Sequence, residues 1–272
     1  MRLSIVIPTA GNNPFRARNF EQCLKSIKAQ TFSDYEIIVV EQSLDGKFYK
    51  GGDDSYRHVK IKDPDIRRGF NLSWCRNVGA RHATGDKLVL MDADMVFKKE
   101  YFSTIDKDPN PFAGGAKCYY WIREEAITSK YIETLSFESV YESSTANHLD
   151  PVFKFDTFTN GCGYGAVLVF DRSWYWESFG GYPEDFFKYG WEDKAAIQII
   201  KHSLGIINDA DLPKIDYEIV HLSHGDKNYT NLNTNQGIYN KIRNADKDKL
   251  ISILKSSELG DLDSPKIILN KI

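Results

Sequence analysis

The first 95 residues alternate short apolar runs of strand length with segments whose apolar residues recur at helical spacing. The apolar runs are residues 3–8, 36–40, 59–61 and 87–91. Helical spacing is found from Phe20 to Ile27 and over residues 71–83. A chain that alternates in this way is predicted to fold as an α/β protein, with a mainly parallel central sheet flanked by helices on both faces.

This fold class also predicts where a ligand would bind. In an open parallel sheet, ligands bind beyond the carboxyl ends of the strands, where the strand order reverses. Residues that follow three of the predicted strands should therefore meet at one cleft. These residues are Pro8 and Thr9, Glu41 and Gln42, and Asp92, Ala93 and Asp94.

The second half of the chain is less regular. Three glycines, Gly161, Gly163 and Gly165, precede a β-rich run ending at residue 170. Further along, the pattern predicts a helix over residues 192–204, a strand over 217–222 and one helix over 236–254. Because we see no internal repeat and no linker, residues 1–272 are interpreted as one domain.

Composition excludes some functions and locations. A formal net charge of -3 argues against general nucleic-acid binding, which needs a basic surplus. No apolar run approaches the roughly 20 residues that span a bilayer, and the start of the chain lacks the apolar segment of a signal peptide. We therefore expect a cytoplasmic protein, with peripheral association at the inner face of a membrane left open.

The four cysteines form no C-x-x-C pair and are interpreted as buried thiols.

The triplet Asp92-Ala93-Asp94 is the first candidate for chemistry. Two carboxylates one residue apart after a strand point to the same side and repel each other. A hard divalent cation shared with a diphosphate would relieve that repulsion. The alternative is a solvated acidic turn, which the preceding apolar strand and the predicted cleft disfavour.

Two further groups have both functional and structural interpretations. Trp191 offers a flat apolar face to a sugar, and Glu192 or Asp193 at a helix start offers a general base. Their alternative is helix capping beside a core tryptophan. His221 and His224 are candidate metal ligands that would complete a site begun by Asp94, unless they only pack in the core or on the surface.

Several of these stretches together resemble family 2 of the glycosyltransferases, which has the Rossmann-like A-type fold. The stretches are Ser4-Ile5-Val6-Ile7-Pro8-Thr9, Glu36-Ile37-Ile38-Val39-Val40, Arg76-Asn77-Val78-Gly79, Ala83-Thr84-Gly85-Asp86 and Asp92-Ala93-Asp94. Residues 180–193 are similar to beta-1,4-galactosyltransferases and chondroitin-type polymerases. The chain departs from these patterns at Glu41 and Gln42, where family 2 usually has aspartates, and at Leu72 and Lys194.

The resemblance implies a role for each matching position. Residues 1–95 would bind the nucleotide, residues 96–230 would bind the acceptor and complete the metal site, and residues 231–272 would form a helical extension. The implied nucleotide-sugar-binding residues are Pro8, Thr9, Glu41, Arg76, Asp92, Ala93, Gly165 and Trp191. Asp94 would bind Mn2+ or Mg2+ together with His224 or His221. Asp193 would deprotonate the acceptor, and Glu192 would contact a sugar hydroxyl.

The resemblance therefore implies an inverting, metal-dependent transfer of a hexose or N-acetylhexosamine. The donor would be a UDP-sugar and the acceptor a saccharide or glycolipid, as in polysaccharide biosynthesis. Two other functions stay open, a sugar-nucleotide nucleotidyltransferase and a non-catalytic sugar-binding module. The first would release pyrophosphate instead of UDP, and the second would not need both acids and the histidines.

Overall fold

A computed structural model of the chain describes residues 1–10, 14–43, 55–62, 68–134, 137–147, 149–158, 164–224 and 231–272. The strands are β1 Leu3–Thr9, β2 Tyr35–Ser43, β3 Arg57–Lys62, β4 Lys87–Met91, β5 Met95–Val96, β6 Phe112–Gly114, β7 Cys118–Ile122, β8 Val152–Asp156, β9 Val167–Asp171 and β10 Glu218–His221. The helices are α1 Pro14–Lys28, α2 Leu72–His82, α3 Tyr101–Lys107, α4 Glu125–Thr134, α5 Phe137–Glu142, α6 Arg172–Trp174, α7 Glu192–Leu204, α8 Leu232–Asn244 and α9 Lys247–Ser256. A π-helical turn, Tyr175–Phe179, follows α6 directly.

The larger sheet has six strands in the order β3-β2-β1-β4-β9-β6. Its first four strands are parallel, while β9 runs antiparallel to both β4 and β6. The prediction of a mainly parallel sheet is confirmed. The strand order reverses at β1, because β2 lies on one side of it and β4 on the other. The carboxyl ends of β1, β2 and β4 therefore form the edge at which this fold binds ligands.

Helix α2 is packed closely on this sheet. Asn71 caps its amino end, with its side-chain oxygen accepting a hydrogen bond from Trp74 N at 2.9 Å. At Gly79 a Cβ atom would lie 2.2 Å from Val6 Cγ1, so the close contact between helix and strand requires glycine there. This packing fixes the position of Arg76, one turn earlier on the same helix.

A second sheet has four strands in the order β5-β10-β7-β8, and sequence periodicity did not predict it as a sheet. Strand β10 pairs antiparallel with β5, which places His221 opposite Met95. Since β5 follows Asp94 directly, this pairing brings the end of β10 to the acidic triplet. Helices α4 and α5 contribute to an apolar cluster on one side of this sheet.

The carboxyl-terminal region differs from its prediction in one respect. The single helix predicted over residues 236–254 is wrong, because α8 ends at Asn244 and α9 begins at Lys247. Asp246 caps α9 by accepting a hydrogen bond from Lys249 N at 3.1 Å, and Ala245 before it has extended backbone. The apolar spacing continues through this break, which explains why periodicity alone missed it.

Beyond α9, two buried carboxylates hold the end of the chain. Glu184 accepts hydrogen bonds from Asn77 Nδ2 at 2.8 Å, from Gly260 N at 2.7 Å and from Lys266 N at 2.6 Å. Asp185 accepts from Leu269 N at 3.0 Å. Burial raises the pKa of Glu184 to about 7. The last segment of the chain is thereby fixed to α2, the helix that carries Arg76.

We expect Glu184→Gln to destabilise the protein by about 1–3 kcal/mol, because a glutamine has one acceptor oxygen and its amide would face a backbone N–H that now donates to the carboxylate. Chemical denaturation followed by circular dichroism measures the change. Glu177→Gln is the control, since Glu177 is exposed on the neighbouring π-helical turn. Equal stability of the two variants would contradict a structural role for Glu184.

The remaining sequence predictions concern cysteines and membrane spans. Cys23, Cys75 and Cys118 are buried free thiols, as predicted, whereas Cys162 lies outside the described residues. Gly161 and Gly163 lie outside them too. Among the helices of the described ranges, none has the length and apolarity to cross a membrane.

Candidate active site

The acidic triplet follows β4 at the carboxyl edge of the larger sheet. Asp94 is 7% exposed, and its carboxylate lies 3.3 Å from His221 Nε2 and 3.6 Å from His224 Nε2. One ligand atom from each of these three residues lies within 4.8 Å of the others. Asp94 Oδ1 is buried and accepts no hydrogen bond from any described residue.

These features fit a divalent cation. A buried carboxylate oxygen without a hydrogen-bond donor is costly, and a cation would satisfy it. Carboxylate oxygen suits Mn2+ and Mg2+, and imidazole nitrogen is a common ligand of transition metals. The three residues singled out from the sequence as candidate metal ligands thus come together, although Asp94 is far from the two histidines along the chain.

A buried arginine connects the triplet to the other wall of the site. The Arg76 guanidinium is fully buried, with Nη2 lying 3.2 Å from Asp92 Oδ1 and Nη1 lying 2.5 Å from Asp193 Oδ1. Its Nη2 also donates to the Gly165 carbonyl at 2.5 Å. Arg76 therefore joins the acidic triplet to the start of α7 through two ion pairs, and protein atoms enclose its side chain.

The carboxylates around Arg76 differ in exposure. Burial raises the pKa of Asp92, and Asp94 and Asp193 add to the rise while Arg76 opposes it. Because the Asp92 side chain keeps 33% of its surface exposed, solvent weakens these effects. The carboxylate of Asp193 is 25% exposed, so a ligand in the cleft can reach it.

Glu192 is more buried than its neighbour Asp193. It begins α7 and is 5% exposed, and its Oε2 atom has no hydrogen-bond partner among the described residues. Burial raises the pKa of Glu192, and the nearby charge of Asp193 raises it further. Glu192 is therefore more readily protonated than an ordinary exposed glutamate and, when protonated, can donate a hydrogen bond.

Gly165 allows Asp193 to lie where it does. A Cβ atom at Gly165 would lie 1.9 Å from both Cγ and Oδ2 of Asp193, far inside van der Waals contact. The carboxylate of Asp193 thus fills the space that any larger residue would need. The resemblance implied that Gly165 contacts the nucleotide sugar, which stays a prediction, while the structure shows the Asp193 side chain lying against this glycine.

If the chain catalyses the sugar transfer that the resemblance implies, with Asp193 as the base, we expect Gly165→Ala to lower its rate about 100-fold, since a displacement of roughly 1 Å at a reacting group has an effect of that size. The rate of nucleotide release under saturating donor measures it. Gly237→Ala is the control, because no atom would lie within 4 Å of the added methyl group. If Gly165→Ala keeps the wild-type rate, Asp193 does not need this position.

Trp191 lies beside these acids at the start of α7, with φ of 76°. Its ring stacks on Tyr239 of α8, with centroids 5.0 Å apart, and Lys194 Nζ lies 4.8 Å from its centroid. Its indole nitrogen is buried without a hydrogen-bond partner among the described residues. One face of the predicted sugar platform is therefore covered by Tyr239, a residue that the sequence did not single out.

The residues predicted to bind the nucleotide lie at the same sheet edge. In the register of the parallel strands, Pro8 pairs with Val40 and Thr9 with Glu41. Glu41 is fully buried, and one of its carboxylate oxygens lies 2.8 Å from His58 Nε2. His58 was missed in the sequence, because its position at the start of a short strand carries no chemical signal. Ala93 packs at the margin of the adjoining core.

Comparison with known proteins agrees with this fold. Residues 4–105 match the model of the family described as Glycosyl transferase family 2. The structure of a mannosyltransferase from Pyrobaculum calidifontis, in complex with GDP-Man and Mn2+, is similar with a TM-score of 0.50 and 17% identity, covering 94% of this chain and 69% of that one. The chain thus has the A-type glycosyltransferase fold.

One curated relative matches part of the chain. It is a glucosyl-dolichyl phosphate glucuronosyltransferase from Haloferax volcanii, 26% identical over 129 residues. The match covers 45% of this chain and 40% of the relative, so more than half of the relative's length lies outside the match. The predicted similarity of residues 180–193 to galactosyltransferases and chondroitin-type polymerases stays a prediction.

Proposed function

We propose that this protein is an inverting glycosyltransferase that moves a hexose or N-acetylhexosamine from a UDP-sugar to a hydroxyl group of a saccharide or glycolipid. The observation that carries the proposal is the Arg76 ion pair network, which joins Asp92 of the acidic triplet to Asp193 of α7. A candidate metal cluster lies directly beside it at Asp94. The site therefore has groups suited to a diphosphate on one wall and to a proton acceptor on the other.

Asp94, His221 and His224 would hold Mn2+ or Mg2+, which neutralises the charge of a leaving diphosphate when bound. Asp193 takes the proton of the acceptor hydroxyl, whose oxygen forms a bond to the anomeric carbon. The bond from that carbon to the diphosphate breaks, and its electron pair leaves with the nucleotide. Because attack and departure occur on opposite faces, one displacement inverts the anomeric configuration.

The other residues orient these groups. Arg76 holds Asp193 through Nη1, and Gly165 leaves room for that carboxylate. Glu192, buried and raised in pKa, is placed to hydrogen-bond a sugar hydroxyl. We propose that Pro8, Thr9 and Glu41 line the nucleotide pocket at the ends of β1 and β2. The family match of residues 4–105, which contain these positions, supports this assignment.

Nucleotide release from a panel of sugar nucleotides, each with and without Mn2+, tests the proposal. The panel contains UDP-glucose, UDP-glucuronic acid, UDP-N-acetylglucosamine and UDP-galactose, with GDP-mannose included because the similar mannosyltransferase structure holds that donor. Simple methyl glycosides and a lipid-linked monosaccharide serve as acceptors. We expect Mn2+-dependent release of UDP with one of the UDP-sugars.

Each other outcome favours a different function. Release of pyrophosphate from a sugar phosphate and UTP would identify a nucleotidyltransferase. Binding of a sugar nucleotide without any turnover, across all acceptors, would favour a sugar-binding module. Release of GDP alone would keep the transferase and replace the proposed donor nucleotide. The anomeric configuration of the product, measured by proton NMR, distinguishes inversion from retention.

A further inference from the structure

The turn between the two candidate histidine ligands is held on both sides by buried side chains. His221 ends β10, and Leu222, Ser223 and His224 follow it outside any helix or strand. Ser223 is 7% exposed, and Leu222 is fully buried. We call residues 221–224 the histidine turn. Its internal backbone groups form hydrogen bonds with three separate elements.

Helix α1 provides the first of these contacts. Asn19 is fully buried, and its Nδ2 donates to the Ser223 carbonyl at 2.8 Å. Its other amide atom, Oδ1, accepts from Arg18 Nη2 at 2.7 Å, which fixes which way the amide faces. Arg18 in turn forms an ion pair with Glu125 at the start of α4. The amide of Asn19 therefore has one orientation, with its donor aimed at the histidine turn.

Helix α4 provides the second contact. Thr128 is fully buried, and its hydroxyl oxygen accepts a hydrogen bond from Ser223 N at 3.0 Å. The Ser223 hydroxyl donates to the Arg123 carbonyl at 3.1 Å, just before the same helix. Both backbone polar groups of Ser223 are thus bonded by side chains from two different helices.

The third contact joins the histidine turn to the carboxylate ligand. Leu222 N donates to the Asp94 carbonyl at 3.0 Å, so the main chains of the turn and the acidic triplet are directly connected. A shift of the turn would therefore change the separation between the imidazoles and the Asp94 carboxylate. None of these backbone bonds involves an atom that would bind the metal.

We propose that Asn19 and Thr128 are positioning residues for the metal site, and that they set its affinity by fixing the histidine turn against Asp94. This inference rests on the metal site of the proposed function. Groups that orient ligands without touching the metal typically change its affinity by about 10- to 100-fold when they are removed. Both side chains are fully buried, and each bonds a backbone atom of Ser223 and not a candidate ligand atom.

Direct measurement of Mn2+ binding to the full chain tests this proposal without any substrate. The free Mn2+ signal in electron paramagnetic resonance gives the dissociation constant, and isothermal titration provides a second value. We expect Thr128→Val and Asn19→Ala to weaken Mn2+ binding about 10- to 100-fold at temperatures well below their unfolding transitions. Thr128→Ser keeps the hydroxyl and should restore an affinity close to that of the wild type.

A control and a second variant separate positioning from stability. Ser26→Ala on α1 removes a buried hydroxyl whose hydrogen bond, among the described residues, goes to the Cys23 carbonyl of the same helix, so it should leave Mn2+ affinity unchanged. Arg18→Met acts at a partly exposed side chain and removes the donor to Asn19 Oδ1, which loosens the Asn19 side chain, so it should weaken binding even if Asn19→Ala fails to fold. Unchanged affinity in Thr128→Val and in Arg18→Met would overturn the proposal.

The remaining outcomes are also decisive. Equal weakening by Ser26→Ala would assign the effect to helix stability and overturn the positioning role. A wild-type protein that binds no Mn2+, alone or with UDP, would overturn the metal site and this inference with it. A wild-type protein that binds Mn2+ and shows the expected variant series but turns over no sugar nucleotide would keep the inference and contradict the proposed activity.

Discussion

Asp193→Asn should lower sugar transfer about 100- to 10,000-fold while the affinity for UDP and Mn2+ stays close to that of the wild type. The amide keeps an oxygen that can accept from Arg76, so the side chain keeps its place, but it cannot take the acceptor proton. Single-turnover rates under saturating donor give the loss in the chemical step. Titration calorimetry with UDP gives the binding.

A matched variant tests whether the effect comes from losing the catalytic base or merely from losing a negative charge in the first turn of a helix. Asp248 lies in the first turn of α9, is largely exposed and pairs with His202. Asp248→Asn should keep the wild-type rate. An Asp193→Asn protein that stays fully active would assign the base to another residue, and Glu192→Gln would then be the next variant to measure.

Arg76 shows what sequence alone can and cannot predict about this site. Its place in the stretch Arg76-Asn77-Val78-Gly79, inside the helix predicted over residues 71–83, implied a nucleotide-binding role by resemblance, and that role stays a prediction. The sequence cannot show that its guanidinium is fully buried between Asp92 and Asp193, because those contacts join residues 16 and 117 positions away. Long-range ion pairs have no local signal.

The same distinction holds for the elements of the fold. Helix α7 was predicted over its full observed length, because its apolar spacing and the glycine after it are local features. The pairing of β5 with β10 was missed, since β5 has only two residues and its partner lies more than a hundred residues later. That pairing is what brings His221 to Asp94. The sequence therefore singled out the three candidate ligands, and the pairing of β5 with β10 explains why they lie close together.

Asp94→Asn should remove Mn2+-dependent binding of UDP and stop turnover. The substitution takes one negative charge from the candidate metal cluster and leaves a weaker ligand oxygen, while the two imidazoles stay in place. Removing a group that only orients the ligands typically lowers metal affinity about 10- to 100-fold. Asp94 is a candidate ligand itself, so we expect the affinity for Mn2+ to fall by at least that much. Calorimetric titration of UDP, with and without Mn2+, measures this directly.

Removing the metal tests the same prediction independently. EDTA should stop nucleotide release by the wild-type protein, and excess Mn2+ should restore it there but not in Asp94→Asn. Asp216→Asn is the control, because Asp216 is 87% exposed and pairs only with the exposed Lys117 among the contacts in the structure. If Asp94→Asn binds UDP in the same Mn2+-dependent way as the wild type, Asp94 is not a metal ligand. Its buried oxygen without a hydrogen-bond donor would then require another partner, and a water molecule bridging Asp94 to His221 would be the next to seek crystallographically.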